Sequence, residues 1–376
     1  MAHSLHLLDS YLPGTETFIW QTLRHLRRYP PVILADRREN PENFPLPGAE
    51  FLALTPKRSL TTLVAARLSG DFASVHYPGG KEALQARDIA VCHAHKGFRA
   101  LVTREFTASL GKPLIVTFYG SDISQQSVLN RAGSGYAQLF TQAKFLLVEG
   151  PAMKQRLLGL GAPDEKIRIQ RIGIPVSEYP FRERNGEGKR PVQILFIGRM
   201  VEKKGLAIGL RALADARIKF PWRLTAVGGG PLWEELKSQA GRLGILNRID
   251  FPGYLPREKS LSLMNTHDLL LQPSLTAEDG DSEGGAPTVI LEAQACGMPV
   301  ISTTHADIPY ITASENKMWL SPEGDAENLS ANLIQAVEEH SRWGAMGRAG
   351  RAKVEADHDA VKETGKLENL YAEVAG

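Results

Sequence analysis

Short apolar runs alternating with longer segments of helical spacing set the rhythm of the first half of the chain: HSLHLLD, PVILAD, EFLALT, DIAVCHAH, PLIVTFYG, FLLVEG and IRIQRIGI. Runs of this length, bounded by polar or glycine-containing clusters, predict buried strands, and the helical patterns between them predict the crossovers of a parallel sheet. A polar stretch, RERNGEGKRP at 182–191, interrupts the pattern, which then restarts with VQILFIG, RLTAVGG, RIDFPGY, DLLLQPS and PVIST. The fold class is therefore α/β, with two doubly wound domains at 1–178 and 179–358 and a ligand expected between them. Helical spacing in AENLSANLIQAVEEH and, more loosely, at Val361, Leu367, Leu370 and Tyr371 predicts closing helices. The last, 359–376, is expected to cross back to the first domain, an expectation that does not come from the periodicity.

Composition narrows the function classes. The 376 residues, 43% hydrophobic and 23% charged, suffice for two cores. A net charge of +2 with 7% aromatic residues argues against a nucleic-acid groove lined by stacking rings. Cys92 and Cys296 lie in apolar segments without metal-ligand spacing, which predicts buried free thiols in a reducing compartment. The start MAHSLHLLDS is too short and polar for a signal peptide, and no run reaches the roughly 18 apolar residues of a membrane span. The expected localisation is cytoplasmic.

Chemistry concentrates at predicted strand ends. In DGDSEGGAPTVILEA (279–293), carboxylates flank consecutive glycines, a pattern suited to a hydroxyl-rich ligand or a metal ion, because bare backbone N–H groups approach closely and the acids accept hydrogen bonds. GRMVEKKG (198–205) sets Arg199 and Lys204 between a strand and a helix, where they can clamp a diphosphate as its charge grows. Gly228, Gly229 and Gly230 follow the next strand and keep side chains away from an approaching ligand. Neither G-x-G-x-x-G in strand–helix context nor G-x-x-x-x-G-K-[ST] occurs, which weighs against a nicotinamide dehydrogenase and a P-loop nucleotidase. His93 and His95 point to one face of their strand, but no third metal ligand with suitable spacing follows. His267 and His305 read as structural or ligand-proximal.

In this order GRMVEKKG, VGGGP, FPGYL and EGGAPTVILEAQACGMPV, preceded by LPGTETFI and TFYGSD, resemble the retaining nucleotide-sugar glycosyltransferases of family four, near the branch that builds surface polysaccharides such as colanic acid. The resemblance spans nearly the whole chain and is most specific in its second half. It implies the GT-B fold of two facing Rossmann-like domains with a cleft between them. It also implies transfer of a hexose-type sugar from a nucleoside diphosphate donor to a sugar or lipid-linked acceptor, with retention and without a metal cofactor. By the same matching, Arg199 and Lys204 bind the diphosphate, and Glu283 with Gly284, Gly285 and Ala286 holds the donor sugar. Glu292 binds the ribose; Gly14 and Thr15 lie near the diphosphate; Gly253, Tyr254 and Leu255 lie near the base; Asp122 and Gly229 complete the binding set.

Two departures stand out. Eight residues, Gly284 to Leu291, separate the two acids where the family has seven, which leaves Asp281 as a substitute for Glu283. Tyr119 stands where the family commonly carries histidine; its hydroxyl can donate to a sugar hydroxyl, but an ordinary pKa near 10 makes it a poor proton acceptor, a role that His95 would then supply. The rival readings are a nucleotide-sugar epimerase of the same fold, a metal-dependent transferase using Asp279-x-Asp281, and a silent sugar-nucleotide-binding protein. Basic residues Arg24, Arg27, Arg28, Lys57, Arg58, Lys96 and Arg99 near Leu60, Leu63 and Val64 suit loose contact with an anionic membrane at the inner face of the cell.

Overall fold

The structure, a computed structural model, describes every residue except 1, 14–15, 41, 70–71, 187–190 and 217–218. Two compact units emerge, one formed by Met1–Gly173 with Ala360–Gly376 and the other by Ile174–Asp359. The chain passes from one to the other at Gly173/Ile174 because Ile174, Val176 and Tyr179 are already buried in a core of the second unit. RERNGEGKRP is not a free linker in its described part: Arg184 is buried and donates to the carbonyls of His267, Arg182 and Cys296.

In the first unit the strands are β1 (His3–Tyr11), β2 (Pro31–Arg38), β3 (Glu50–Phe51), β4 (Ile89–His95), β5 (Leu114–Thr117), β6 (Phe145–Val148) and β7 (Ile167–Ile169). They pair in parallel in the order β3-β2-β1-β4-β5-β6-β7. EFLALT and IRIQRIGI, expected as full strands, pair for only two and three residues. Side chains alternate across the sheet with period two. One face carries Leu5, Leu7, Cys92, Ala94, Leu114 and Val116; the other carries Leu8, Val91, Ile115 and Leu147. By the same alternation Ser4, His6, His93, His95 and Thr117 belong to the second face, on which Tyr371 of the helix Ala360–Ala375 packs. That helix is pinned by Glu368, whose Oε1 accepts the backbone N–H groups of Arg27 and Arg28 at 2.7 and 2.5 Å.

The second unit holds β8 (Val192–Ile197), β9 (Trp222–Val227), β10 (Ile249–Gly253), β11 (Leu269–Gln272), β12 (Val300–Thr303) and β13 (Leu320–Ser321). All pair in parallel, in the order β10-β9-β8-β11-β12-β13. β13 has no apolar run of its own and was not legible from pattern. Both sheets reverse direction of winding next to their first strand, between β1 and β4 and between β8 and β11. Open α/β sheets bind ligands outside the carboxyl ends of strands at such points. Cys92 and Cys296 are free and buried.

Candidate functional site

At the β8/β11 reversal, two loops meet. Gly205 takes φ +68°, and a Cβ there would lie 1.7 Å from the carbonyl oxygen of Pro273, so only glycine lets the loop after β8 touch the loop after β11. Gly228 does the same for the next loop, since its Cβ would lie 1.9 Å from the Gly198 carbonyl oxygen. Gly229, by contrast, has nothing within 4 Å of the Cβ position and leaves open space. Arg199 is exposed at the end of β8, and the helix Leu206–Ala216 begins just beyond Lys204, with its positive end toward this edge.

Lys204 and Glu283 are joined directly: Nζ donates to Oε2 at 2.7 Å, and Glu283 Oε1 accepts from the Ser274 hydroxyl at 2.7 Å. The Glu283 side chain is only 5% exposed. Burial alone would raise its carboxyl, but the Lys204 charge and hydrogen bond, the Ser274 hydroxyl and the Lys203 charge together hold it below the usual carboxylate range. Its backbone N–H donates to His305 Nε2 at 3.2 Å, while His305 Nδ1 faces Glu323 at 2.9 Å. His305 is thus a support of the acidic loop. Asp281, the candidate substitute, is engaged by Lys203 at 3.0 Å, and its N–H donates to Asp279 Oδ1 at 2.9 Å. The D-x-D pair is therefore a locally closed turn.

After Glu283 the chain runs through the buried Gly284 and Gly285 and the half-buried Ala286 to Pro287, which caps the helix Thr288–Ala295. Glu292 sits on that helix and accepts from the Tyr179 hydroxyl at 3.1 Å. Burial pushes its carboxyl above the usual range, against the Tyr179 hydrogen bond and the Arg257 charge. Arg257 lies 5.2 Å over the Tyr179 ring and pairs with Glu178 at 2.9 Å. Ser274, Tyr179 and Arg257 carried no sequence signal, because each reaches its acid from a distant segment. Gly253 closes β10 in a left-handed conformation, Tyr254 beside it is 75% exposed, and Leu255 is half-buried. His267 is structural, its Nε2 paired with Thr225 Oγ1 at 2.9 Å.

In the first unit Tyr119 stands just past β5, half-buried, beside a cavity of about 30 Å³ that His93, Thr117, Gln170 and Glu363 also line. His95 is buried and touches Tyr119 through Nδ1 at 2.8 Å from its hydroxyl oxygen. His95, expected to supply the proton acceptor that Tyr119 does not, is 1% exposed and both its ring nitrogens are bonded within the protein, to Tyr119 and to His6. Asp122, expected to bind substrate, is 1% exposed. Its oxygens accept from the N–H groups of Gly97, Gly120 and Tyr119 at 2.8, 2.9 and 3.1 Å, so it fixes the turns that present Tyr119. Gly14 and Thr15 lie outside the described residues.

The third histidine that sequence spacing did not offer comes from the neighbouring strand. His6 is paired with His93 in register, and ligand atoms of His6, His93 and His95 lie within 4.8 Å of one another. All six ring nitrogens already have protein partners: His6 with Ser4 and His95, His93 with Tyr371 and Thr117, and His95 with His6 and Tyr119. A cation here would have to displace these hydrogen bonds. Three cations enlisted for membrane contact are also spoken for, since Arg99 is fully buried against Asp36, Lys96 pairs with Glu16 and Arg28 pairs with Glu368.

Comparison with known proteins adds the lineage. The family described as "Glycosyl transferases group 1" matches residues 178–353. The chain is 33% identical over 287 residues to the amylovoran biosynthesis glycosyltransferase AmsK of Erwinia amylovora, covering 75% of this chain and 70% of that protein. It is 31% identical over 286 residues to the putative colanic acid biosynthesis glycosyltransferase WcaL of Salmonella typhimurium, with the same shares covered. Among solved structures, Anabaena Alr3699/HepE in complex with UDP matches with a TM-score of 0.75 at 18% identity, over 99% of this chain and 100% of that one. At that identity the likeness is one of fold.

Proposed function

The chain belongs to the group 1 glycosyltransferases, and from that premise we propose that it moves a hexose-type sugar from a nucleoside diphosphate to an acceptor hydroxyl, with retention, in surface polysaccharide or glycolipid synthesis. The observation that carries this reading is the Lys204–Glu283–Ser274 cluster at the β8/β11 reversal. The donor diphosphate takes Lys204 and Arg199 as counter-charges, with the positive end of the helix Leu206–Ala216 behind it, and stabilisation grows as the leaving phosphate gains charge. Glu283 and the N–H groups of Gly284, Gly285 and Ala286 hold the sugar, and Glu292 accepts from the ribose. Gly229 admits the diphosphate, and Gly253, Tyr254 and Leu255 border the base. The leaving phosphate accepts the acceptor's proton, so no side-chain nucleophile is needed, and Arg199 and Lys204 take the place of a metal.

The acceptor is lipid-linked and the protein meets it at the inner face of the membrane. Support comes from the helix Leu60–Ser69, where Leu60, Leu63, Val64 and Leu68 are 81%, 44%, 55% and 84% exposed beside the exposed Lys57, Arg58 and Arg67. Among the described residues no helix is long and apolar enough to cross a membrane.

Calorimetric titration in excess chelator tests the assignment. Glu292→Ala is expected to weaken nucleotide sugar and free nucleoside diphosphate alike, by about ten- to a hundredfold, the loss of a hydrogen bond to a charged group. Glu283→Ala is expected to weaken only the sugar-bearing ligand, because removing the acid also releases Lys204 for phosphate. Equal weakening of both ligands by Glu283→Ala, or wild-type turnover that vanishes in chelator and returns with manganese, overturns the reading.

A further inference from the structure

On the second face of the first sheet, one hydrogen-bond path runs from backbone to the carboxyl edge of the sheet: Tyr29 O, Ser4 Oγ, His6, His95 and Tyr119 Oη, with successive separations of 2.9, 2.9, 2.9 and 2.8 Å. A carbonyl oxygen only accepts, so the Ser4 hydroxyl hydrogen is committed to Tyr29. Ser4 Oγ must then accept from His6, which places the His6 hydrogen on Nε2. Burial holds both His6 and His95 well below the ordinary histidine range, so each ring is neutral and carries one hydrogen. His6 Nδ1 is therefore bare and accepts from His95 Nε2–H; His95 Nδ1 is bare in turn and accepts from the Tyr119 hydroxyl. Every link has one direction only.

His93, stacked on His95 with ring centroids 4.4 Å apart, is bonded to Tyr371 and Thr117, and Thr117 in turn donates to the Tyr119 oxygen, which leaves that oxygen its remaining acceptor position for a ligand. His93 too is neutral, burial having lowered it to about 3, so it does not charge the neighbouring path near neutral pH.

We infer that Ser4, His6 and His95 are positioning residues that turn the Tyr119 hydrogen inward, so that the Tyr119 oxygen meets the ligand as an acceptor, selecting a sugar hydroxyl over a phosphate oxygen. The identity of the ligand rests on the sugar-transfer reading; the direction of the path does not. The consequence for Tyr119 is opposite to what its residue type suggests, since its one hydrogen is unavailable to the ligand. Aligned hydrogen bonds polarise one another, so the chain also strengthens the acceptor character of that oxygen.

Nitrogen-labelled histidine NMR on the full wild-type protein tests the direction without any donor, because nitrogen shifts separate the two neutral tautomers from each other and from imidazolium. Hydrogen on Nε2 of both His6 and His95 across about pH 6 to 8 is the expected result. Hydrogen on His95 Nδ1, or an imidazolium at either ring, overturns the inference. In His6→Phe, His95 loses its acceptor and is expected to populate both tautomers; retention of the single wild-type tautomer counts against the relay. Turnover carries the ligand half: Tyr119→Phe should lower it about three- to tenfold with nucleoside diphosphate affinity unchanged, and unchanged turnover removes Tyr119 from the ligand. If the tautomers are as expected and the wild-type protein consumes no nucleotide sugar, the path stands and the transfer reading falls.

Discussion

Acidification from about pH 7.5 to about pH 5.5 is expected to weaken the first unit by about 4 kcal/mol, through three histidines that folding keeps neutral. An unfolded histidine titrates near 6.5 and takes up a proton across this window, whereas His6 and His95 stay well below that value and His93 is lowered to about 3, all by burial. The unfolded state thus binds more protons, and stability falls as the pH falls, from the unfolded pKa down to the folded ones. Over these two units each histidine contributes about 1.4 kcal/mol, which makes about 4 for three, a large share of the roughly 5–15 kcal/mol of a typical protein. Asp9 and Asp122, raised by burial, act in the opposite sense, so the histidine part is read as a difference between variants. Urea titration at both pH values, followed by hydrogen exchange of the β1 and β4 segments, measures it, and His93→Asn should flatten the dependence by about 1.4 kcal/mol. A pH dependence that is the same in wild type and His93→Asn refutes the neutral cluster.

Gly205→Ala should cost about 2 kcal/mol or more in the second unit, seen as a lower melting temperature, because its Cβ meets the Pro273 carbonyl at 1.7 Å. Gly229→Ala, with open space at that position, should leave the melting temperature within about a degree or two and weaken donor binding; unaltered donor affinity would separate Gly229 from the ligand. Replacing both Leu63 and Val64 by Glu should abolish flotation with anionic vesicles while leaving transfer to a soluble acceptor intact, and equal recovery with neutral and anionic vesicles would discard the membrane contact.

Twelve of the thirteen described strands, in their order of appearance, were legible because buried parallel strands write continuous apolar runs, as in FLLV and VQILFI. β13 escaped because two residues cannot form a run, and EFLALT overstated its strand because apolar residues also pack from loops. The acids Glu283 and Glu292 stood out through their glycines, yet their partners Ser274, Tyr179 and Arg257 did not, since contact across the fold leaves no local spacing. Asp122 shows a use that its motif did not signal: its oxygens accept the N–H groups of Gly97, Tyr119 and Gly120. His6 lies far from His93 in sequence and meets it only through the strand order β1-β4, which no periodicity encodes.

The last helix has a consequence for the order in which the protein can be made. Its Tyr371 covers His93 and its Glu368 captures backbone N–H groups of Arg27 and Arg28, so the first unit completes its sheet face only with residues that follow the whole of Ile174–Asp359. At synthesis rates of about 5–20 residues per second, that intervening unit delays closure by roughly 10–40 s. During that interval β1 and β4 have emerged while their histidine face waits uncovered. The second unit, contiguous in sequence, is free to fold first, which reverses the usual advantage of the amino-terminal half.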